Sequence, residues 1–116
     1  MIAPEARAKA RLICPLSALI DGAGVVALVD AQQIALFQLS HAGGSQIFAI
    51  GNHDPIGDAP VLARGIIGDV NGEPVVASPL YKQHFSLTSG RCLEDESVSV
   101  PVYRVLVSDG YVYLVR

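Results

Sequence analysis

Imidazole and thiol side chains are where chemistry would begin in this chain, and they are few: His41, His53 and His84, with Cys14 and Cys92. Histidine titrates near neutral pH and serves as general base or metal ligand; a thiolate serves as nucleophile or soft metal ligand. Neither use finds its spacing here. No histidine has a cysteine or a second histidine at ligand spacing, and the two cysteines share no Cys-x-x-Cys pattern. A nucleophilic cysteine needs a base and an orienting group beside it, and the sequence places neither near Cys92, which is expected to pack as a small apolar side chain. His84 precedes Phe85 on a strand whose side chains alternate between faces, so Phe85 is the expected core residue and His84 the outward one. His41, beside Ala42-Gly43-Gly44, reads as a solvated hairpin histidine, and His53 as a surface-loop histidine. The pieces Ile-Gly-Asn and Gly-Ile-Ile-Gly-Asp lack the lysine and the spacing of a phosphate loop, which argues against nucleotide binding.

A longer pattern does carry information. From Val76 to Cys92 the chain reads Val-Ala-Ser-Pro-Leu-Tyr-Lys-Gln-His-Phe-Ser-Leu-Thr-Ser-Gly-Arg-Cys. This resembles the second half of a Rieske iron–sulfur motif, in which a strand leads into Cys-Pro-x-His, an aromatic strand follows and a Thr-Gly turn leads back to the sheet. Ser78 stands at the Cys position and Tyr81 at the His position. Upstream, Asn52-His53-Asp54 after the strand-like Gln46 to Ile50 stands where the first half, Cys-x-His, belongs, with Asn52 at the Cys position and Asp54 at the His position. A Rieske [2Fe–2S] centre takes two thiolates and two imidazoles, and none of these four residues supplies one. With Ser-Pro-Leu-Tyr-Lys-Gln and Thr-Ser-Gly-Arg-Cys in place, the line resembles one branch of that fold, the small subunits of assimilatory NAD(P)H-dependent nitrite reductases. The resemblance runs from Arg11 to Val115 and is most specific from Pro74 to Leu93.

That resemblance implies a subunit with no active site and no cofactor of its own, docking on a large catalytic subunit that carries FAD, a [4Fe–4S] cluster and sirohaem and reduces nitrite to ammonium. Two loops, Asn52 to Asp58 and Ser78 to Gln83, would form the tip that clamps the cluster in the parent fold. The candidate partner interface is Tyr81, Lys82, His84 and His53, with Tyr81 and Lys82 expected to be at least partly exposed. Asp54, if buried, is expected to need Lys82 or Arg64 as counter-ion. Two other readings stay open: a Rieske-type [2Fe–2S] ferredoxin, and a free-standing β-sandwich adaptor.

The elements that must position this tip are short β-branched runs punctuated by turns: Arg11 to Cys14, Gly24 to Val29, Gln33 to Leu39, Gln46 to Ile50, Gly65 to Asp69, Pro74 to Ala77, His84 to Ser86, Val102 to Val107 and Tyr111 to Val115. Asn71-Gly72 and Asp109-Gly110 tolerate the positive φ of a two-residue hairpin. Asp30-Ala31 and Ala42-Gly43-Gly44 read as further hairpin connections, and Thr88-Ser89-Gly90 closes the strand of His84 and Phe85. Sequential antiparallel pairing is expected. Pro15 to Gly22 suggests a helical turn with Ser17 as a cap, and Asp54 to Arg64, with two prolines, suggests a loop or short helix at the tip. The expected fold is all-β, an antiparallel Rieske-like β-sandwich or small barrel with a two-loop tip subdomain over residues 11–116, preceded by a flexible tail at 1–10.

With 116 residues, one domain can bury a core without disulfides or metal. The chain is 51% apolar and only 16% charged, against a usual charged share of about a quarter. A surface short of charge points either to a partner or to a well-filled core. No apolar run approaches the roughly 18 residues of a membrane helix, and the first ten residues lack an apolar signal region. The expected compartment is the cytoplasm, with both cysteines as free thiols. A net charge of −3 with scattered Lys and Arg excludes the footprint of a nucleic-acid binder.

Overall fold

The computed structural model describes residues 10–115. They form nine strands: β1 Ala10–Pro15, β2 Gly24–Val29, β3 Gln32–His41, β4 Gly44–Gly51, β5 Ile66–Val70, β6 Glu73–Ala77, β7 His84–Ser86, β8 Val102–Ser108 and β9 Tyr111–Val115. Two 3-10 turns, Leu16–Ala18 and Leu62–Arg64, interrupt them. Each expected strand is present within a few residues of its expected ends. The tail expected at 1–10 lies outside the described residues except for Ala10, which opens β1.

The hairpins follow from their turn residues. Asn71 and Gly72 have φ of 53° and 87°, and Asp109 and Gly110 have 54° and 80°, the left-handed pair that matches the twist of the flanking strands. Asp30-Ala31 makes the same turn at 50° and 66°, although its second residue is an alanine. The first 3-10 turn is capped differently from expectation. Ser17 lies inside it, and Pro15 takes the N-cap position without any side-chain hydrogen bond, since its fixed φ of −64° already leads into the turn.

All pairings between strands are antiparallel, in a six-stranded sheet ordered β1-β9-β8-β4-β3-β2 and a three-stranded sheet ordered β5-β6-β7. Sequential pairing therefore holds within β2-β3-β4, β5-β6-β7 and β8-β9, but β1 joins β9 and β4 joins β8. The β4–β8 junction is narrow: Ala49 faces Tyr103, Ile50 faces Val102, and Gly51 N–H donates to Pro101 O at 2.9 Å. Beyond it the strands diverge, so the large sheet folds over on itself as a near-barrel.

Two apolar clusters fill the molecule, and β3 stands between them. Ile34 and Leu36 join Leu19, Val29, Ala49, Val112 and Leu114 inside the folded large sheet. Ala35 and Phe37 face the other way and meet Ile50, Leu62, Val76, Phe85, Leu87, Cys92 and Val100 beneath the small sheet. This is the period-two alternation of a strand, with both faces apolar because both are covered. Phe85 is the core residue expected, and Cys92 is fully buried among apolar neighbours. The second 3-10 turn is pressed against β2, where a Cβ at Gly24 would overlap the Ala63 carbonyl oxygen. The second cluster is the floor on which the tip stands.

Candidate functional site: a two-loop tip

The first loop leaves β4 at Gly51, and its residue Asn52 is bound on every polar atom. Its Nδ2 donates to Gln33 Oε1 and to Pro60 O, both at 3.0 Å, and its Oδ1 accepts from Ala63 N–H at 2.8 Å. Its backbone N–H donates to Gln33 O at 3.1 Å, and its carbonyl accepts from Leu62 N–H at 3.0 Å. A buried amide satisfied this completely ties β3, β4 and the second 3-10 turn together.

Asp54 is also fully buried, and it has neither expected counter-ion. Lys82 and Arg64 are both exposed to solvent. The carboxylate is met by neutral donors instead: Ile56 N–H at 2.8 Å and Gly57 N–H at 3.0 Å on Oδ1, and Ser78 Oγ–H at 2.5 Å on Oδ2. Charge-assisted hydrogen bonds of this kind replace a salt bridge. Burial pushes the carboxyl upward, but the bonds from Ser78, Gly57 and Ile56 and the nearby His53 outweigh it and hold the group below its ordinary 3.8. The sequence held part of this signal. Asp54-Pro55-Ile56-Gly57 carries Asp, Pro and Gly at the first, second and fourth positions of a turn, the pattern in which an Asp side chain accepts from backbone N–H groups.

Ser78 is the hub of the second loop. Its N–H donates to Gln83 O at 2.9 Å and its carbonyl accepts from Lys82 N–H at 3.0 Å. Its Oγ also accepts from Leu80 N–H at 3.3 Å while donating to Asp54. The loop so closed presents Leu80 and Tyr81, 43% and 65% exposed, at the apex. Lys82 follows in the left-handed region, with φ of 65°. Leu80 overlies Gly57, where a Cβ would collide with its Cδ1, so the two loops touch at a second place.

The remaining candidates sit on the flanks. His53 is exposed and pairs through Nε2 with Asp58 Oδ1 at 2.9 Å. An exposed pair of this kind adds little stability. His84 is half-buried at the start of β7 and is tied to Glu94, whose carboxylate takes the His84 backbone N–H at 2.7 Å and faces Nδ1 at 2.6 Å. The His41 side chain lies outside the described residues. Beside the first loop, a cleft of about 340 Å³ is lined by His53, Pro60, Pro101 and Tyr103, with Gln33 and Asn52 already bonded to each other. Among the described residues, no three His, Cys, Asp or Glu side chains come together as a metal site.

Four tip positions have thus taken separate paths. Asn52 is bonded into the base, Asp54 and Ser78 are bonded to each other, and Tyr81 stands in solvent. They do not fit an iron–sulfur cluster: no thiolate or imidazole is among them, and the oxygens of two are in direct hydrogen-bond contact, which leaves no room for a cluster between them.

The antiparallel base, the small second sheet and the two-loop tip define a Rieske-type domain. A family model described as a Rieske-like [2Fe-2S] domain matches residues 11–115. Over 102 residues the chain is 47% identical to the nitrite reductase (NADH) small subunit of Salmonella typhimurium, covering 88% of this chain and 93% of that one. The solution structure of the Escherichia coli protein NirD superposes with a TM-score of 0.80 at 42% identity, covering 92% and 97% of the two chains. A nitrite reductase [NAD(P)H] large subunit of Klebsiella oxytoca also matches, 41% identical over 102 residues, which is 88% of this chain and 10% of that one. The chain belongs to the Rieske-like [2Fe-2S] domain family, among the nitrite reductase NAD(P)H small subunits.

Proposed function

We propose that this chain is the cluster-free small subunit of an NAD(P)H-dependent nitrite reductase, and that it binds the large subunit without carrying electrons itself. The observation that supports binding is the Klebsiella oxytoca relative, in which a segment alike to nearly all of this chain makes up a tenth of a large-subunit polypeptide. Two parts that occur on one chain in a relative are held at high effective concentration there, and as separate chains they need an interface to stay together. The donor set at the tip argues against a cluster, since Asn52, Asp54, Ser78 and Tyr81 are oxygen or amide groups. FAD, sirohaem and [4Fe–4S] chemistry belong in this reading to the large subunit, in the cytoplasm.

The docking surface we assign is the tip, with Tyr81 and Lys82 at its centre and His53 and His84 on its flanks. The apex exposes Tyr81, an aromatic of the type enriched among interface anchors, with the apolar Leu80 and the Lys82 cation beside it. The test is to purify the tagged chain from nitrate-grown cells. The large subunit should come with it, and the spectrum of the complex should be that of sirohaem and flavin. The isolated small subunit should be colourless and free of stoichiometric iron and sulfide. A Rieske spectrum from the isolated chain would favour the ferredoxin reading, and elution without any sirohaem protein the free-standing adaptor.

A further inference from the structure

The tip consists of two loops from distant parts of the chain, and a buried hydrogen bond between Ser78 Oγ and Asp54 Oδ2 joins them. Ser78 also organises its own loop through its N–H, its carbonyl and its Oγ, and that loop carries Leu80 and Tyr81. Any shift of Ser78 therefore moves the apex. Asp54 is anchored in turn by the Ile56 and Gly57 N–H groups and by its backbone bonds to Ala59 and Asp58. A chain of hydrogen bonds runs from the first loop through Asp54 and Ser78 to the exposed Leu80 and Tyr81.

We propose that Asp54 and Ser78 are positioning residues of the docking tip, and that their hydrogen bond fixes Leu80 and Tyr81 in the attitude the large subunit recognises. The proposal rests on the reading that the tip meets the large subunit. Where the parent family pins two such loops with a metal cluster, this chain pins them with a carboxylate and a hydroxyl. Docking surfaces gain affinity when their anchors are held in the bound arrangement beforehand, because less freedom is lost on association. The partner face is expected to be an apolar recess that receives the Leu80 side chain and the Tyr81 ring, with an acidic group within reach of Lys82.

The test uses the full chain and the purified large subunit, with Ser78→Ala, Asp54→Ala, their double variant and Tyr81→Ala. Hydrogen exchange of the free chain reads loop order, and titration against the large subunit reads affinity. Ser78→Ala should speed exchange in residues 54–59 and 78–83 well beyond the smaller rise that global destabilisation gives in β3, and should weaken binding about tenfold, equivalent to about 1.4 kcal/mol. In the double variant, Asp54→Ala should cost less affinity than it does alone, because both act through one bond. If Ser78→Ala instead speeds β3 as much as the loops, Ser78→Thr, which keeps the hydroxyl donor, is the variant to read, and it should bind and exchange as the parent does. Loosened loops with unchanged affinity in Ser78→Ala, while Tyr81→Ala binds weakly, overturn the positioning role and leave tip docking standing. Unchanged affinity in both variants overturns docking through the tip itself, and failure of the parent chain to bind overturns the subunit reading.

Discussion

A buried carboxylate without its expected Lys or Arg counter-ion is stable at Asp54 because three donors are already in place around it, two of them backbone N–H groups of its own turn. Removing one donor should show directly. Ser78→Ala leaves Oδ2 buried without its hydroxyl, and it should destabilise the domain by about 1–3 kcal/mol in urea unfolding at neutral pH. The pH dependence follows from the direction of the shift. Asp54 is held below its ordinary 3.8 in the folded chain, so its contribution is complete above that value and is lost as pH falls through the lower folded value. Glu94, raised by burial but lowered further by its bonds and charge pairing with His84, loses its contribution on the same acid side. The gap between parent and Ser78→Ala should therefore narrow as pH drops below about 4, because Glu94 is common to both. The residues of the tip were legible in the sequence through their place in a family pattern, but their partnership was not. Asp54 and Ser78 are 24 positions apart, and the general expectation that a buried charge needs a cation pointed toward Lys82 and Arg64. Only the turn pattern of Asp54 to Gly57 hinted that the backbone would supply the donors.

The hairpins show how far local chemistry reaches among the elements. Three turns share a left-handed pair, yet Asp30-Ala31 places an alanine where Asn71-Gly72 and Asp109-Gly110 place glycine. A Cβ in that region costs about 1–2 kcal/mol, and glycine's freer unfolded chain gives back about 0.4–1 kcal/mol of this. Ala31→Gly should thus stabilise the domain by about 0.5–1 kcal/mol, read as a rise of a few degrees in Tm. The second loop gives the opposite case, a change expected to spare the fold. Tyr81 and Lys82 are exposed, so Tyr81→Ala with Lys82→Glu should alter stability by no more than about 0.5 kcal/mol while weakening assembly with the large subunit in co-purification. Unfolding of that double variant would contradict the solvent-facing position of Tyr81. The strands were readable because β-branched runs and turn dipeptides act within a few residues of each other. The β1–β9 and β4–β8 pairings were not, since nothing local tells a strand to skip its neighbour, and the burial of distant faces decides it. The cap of the first 3-10 turn was misread for a related reason: Pro15 sets the backbone by itself, so no Ser17 bond is needed.

At the scale of the whole molecule, the tip cannot be returned to a metal site by exchanging four side chains. Asn52→Cys with Asp54→His, Ser78→Cys and Tyr81→His removes the amide bonds to Gln33, Pro60 and Ala63 together with the link between the loops. The quadruple variant should lose several kcal/mol of stability, at about 1–3 kcal/mol per buried group left unpaired, and should fail to give a Rieske spectrum after reconstitution with iron and sulfide, because the outer hydrogen bonds that orient ligands are absent. The placement of β3 has a different consequence. Since Ile34 and Leu36 serve one apolar cluster while Ala35 and Phe37 serve the other, a slip of one residue would exchange the two sets. Neither half can then melt while the other keeps its wall. The base and the tip should unfold in one cooperative transition, with near-UV and far-UV signals superimposed, and the β3 amides should be the last to exchange, opening only with the entire chain.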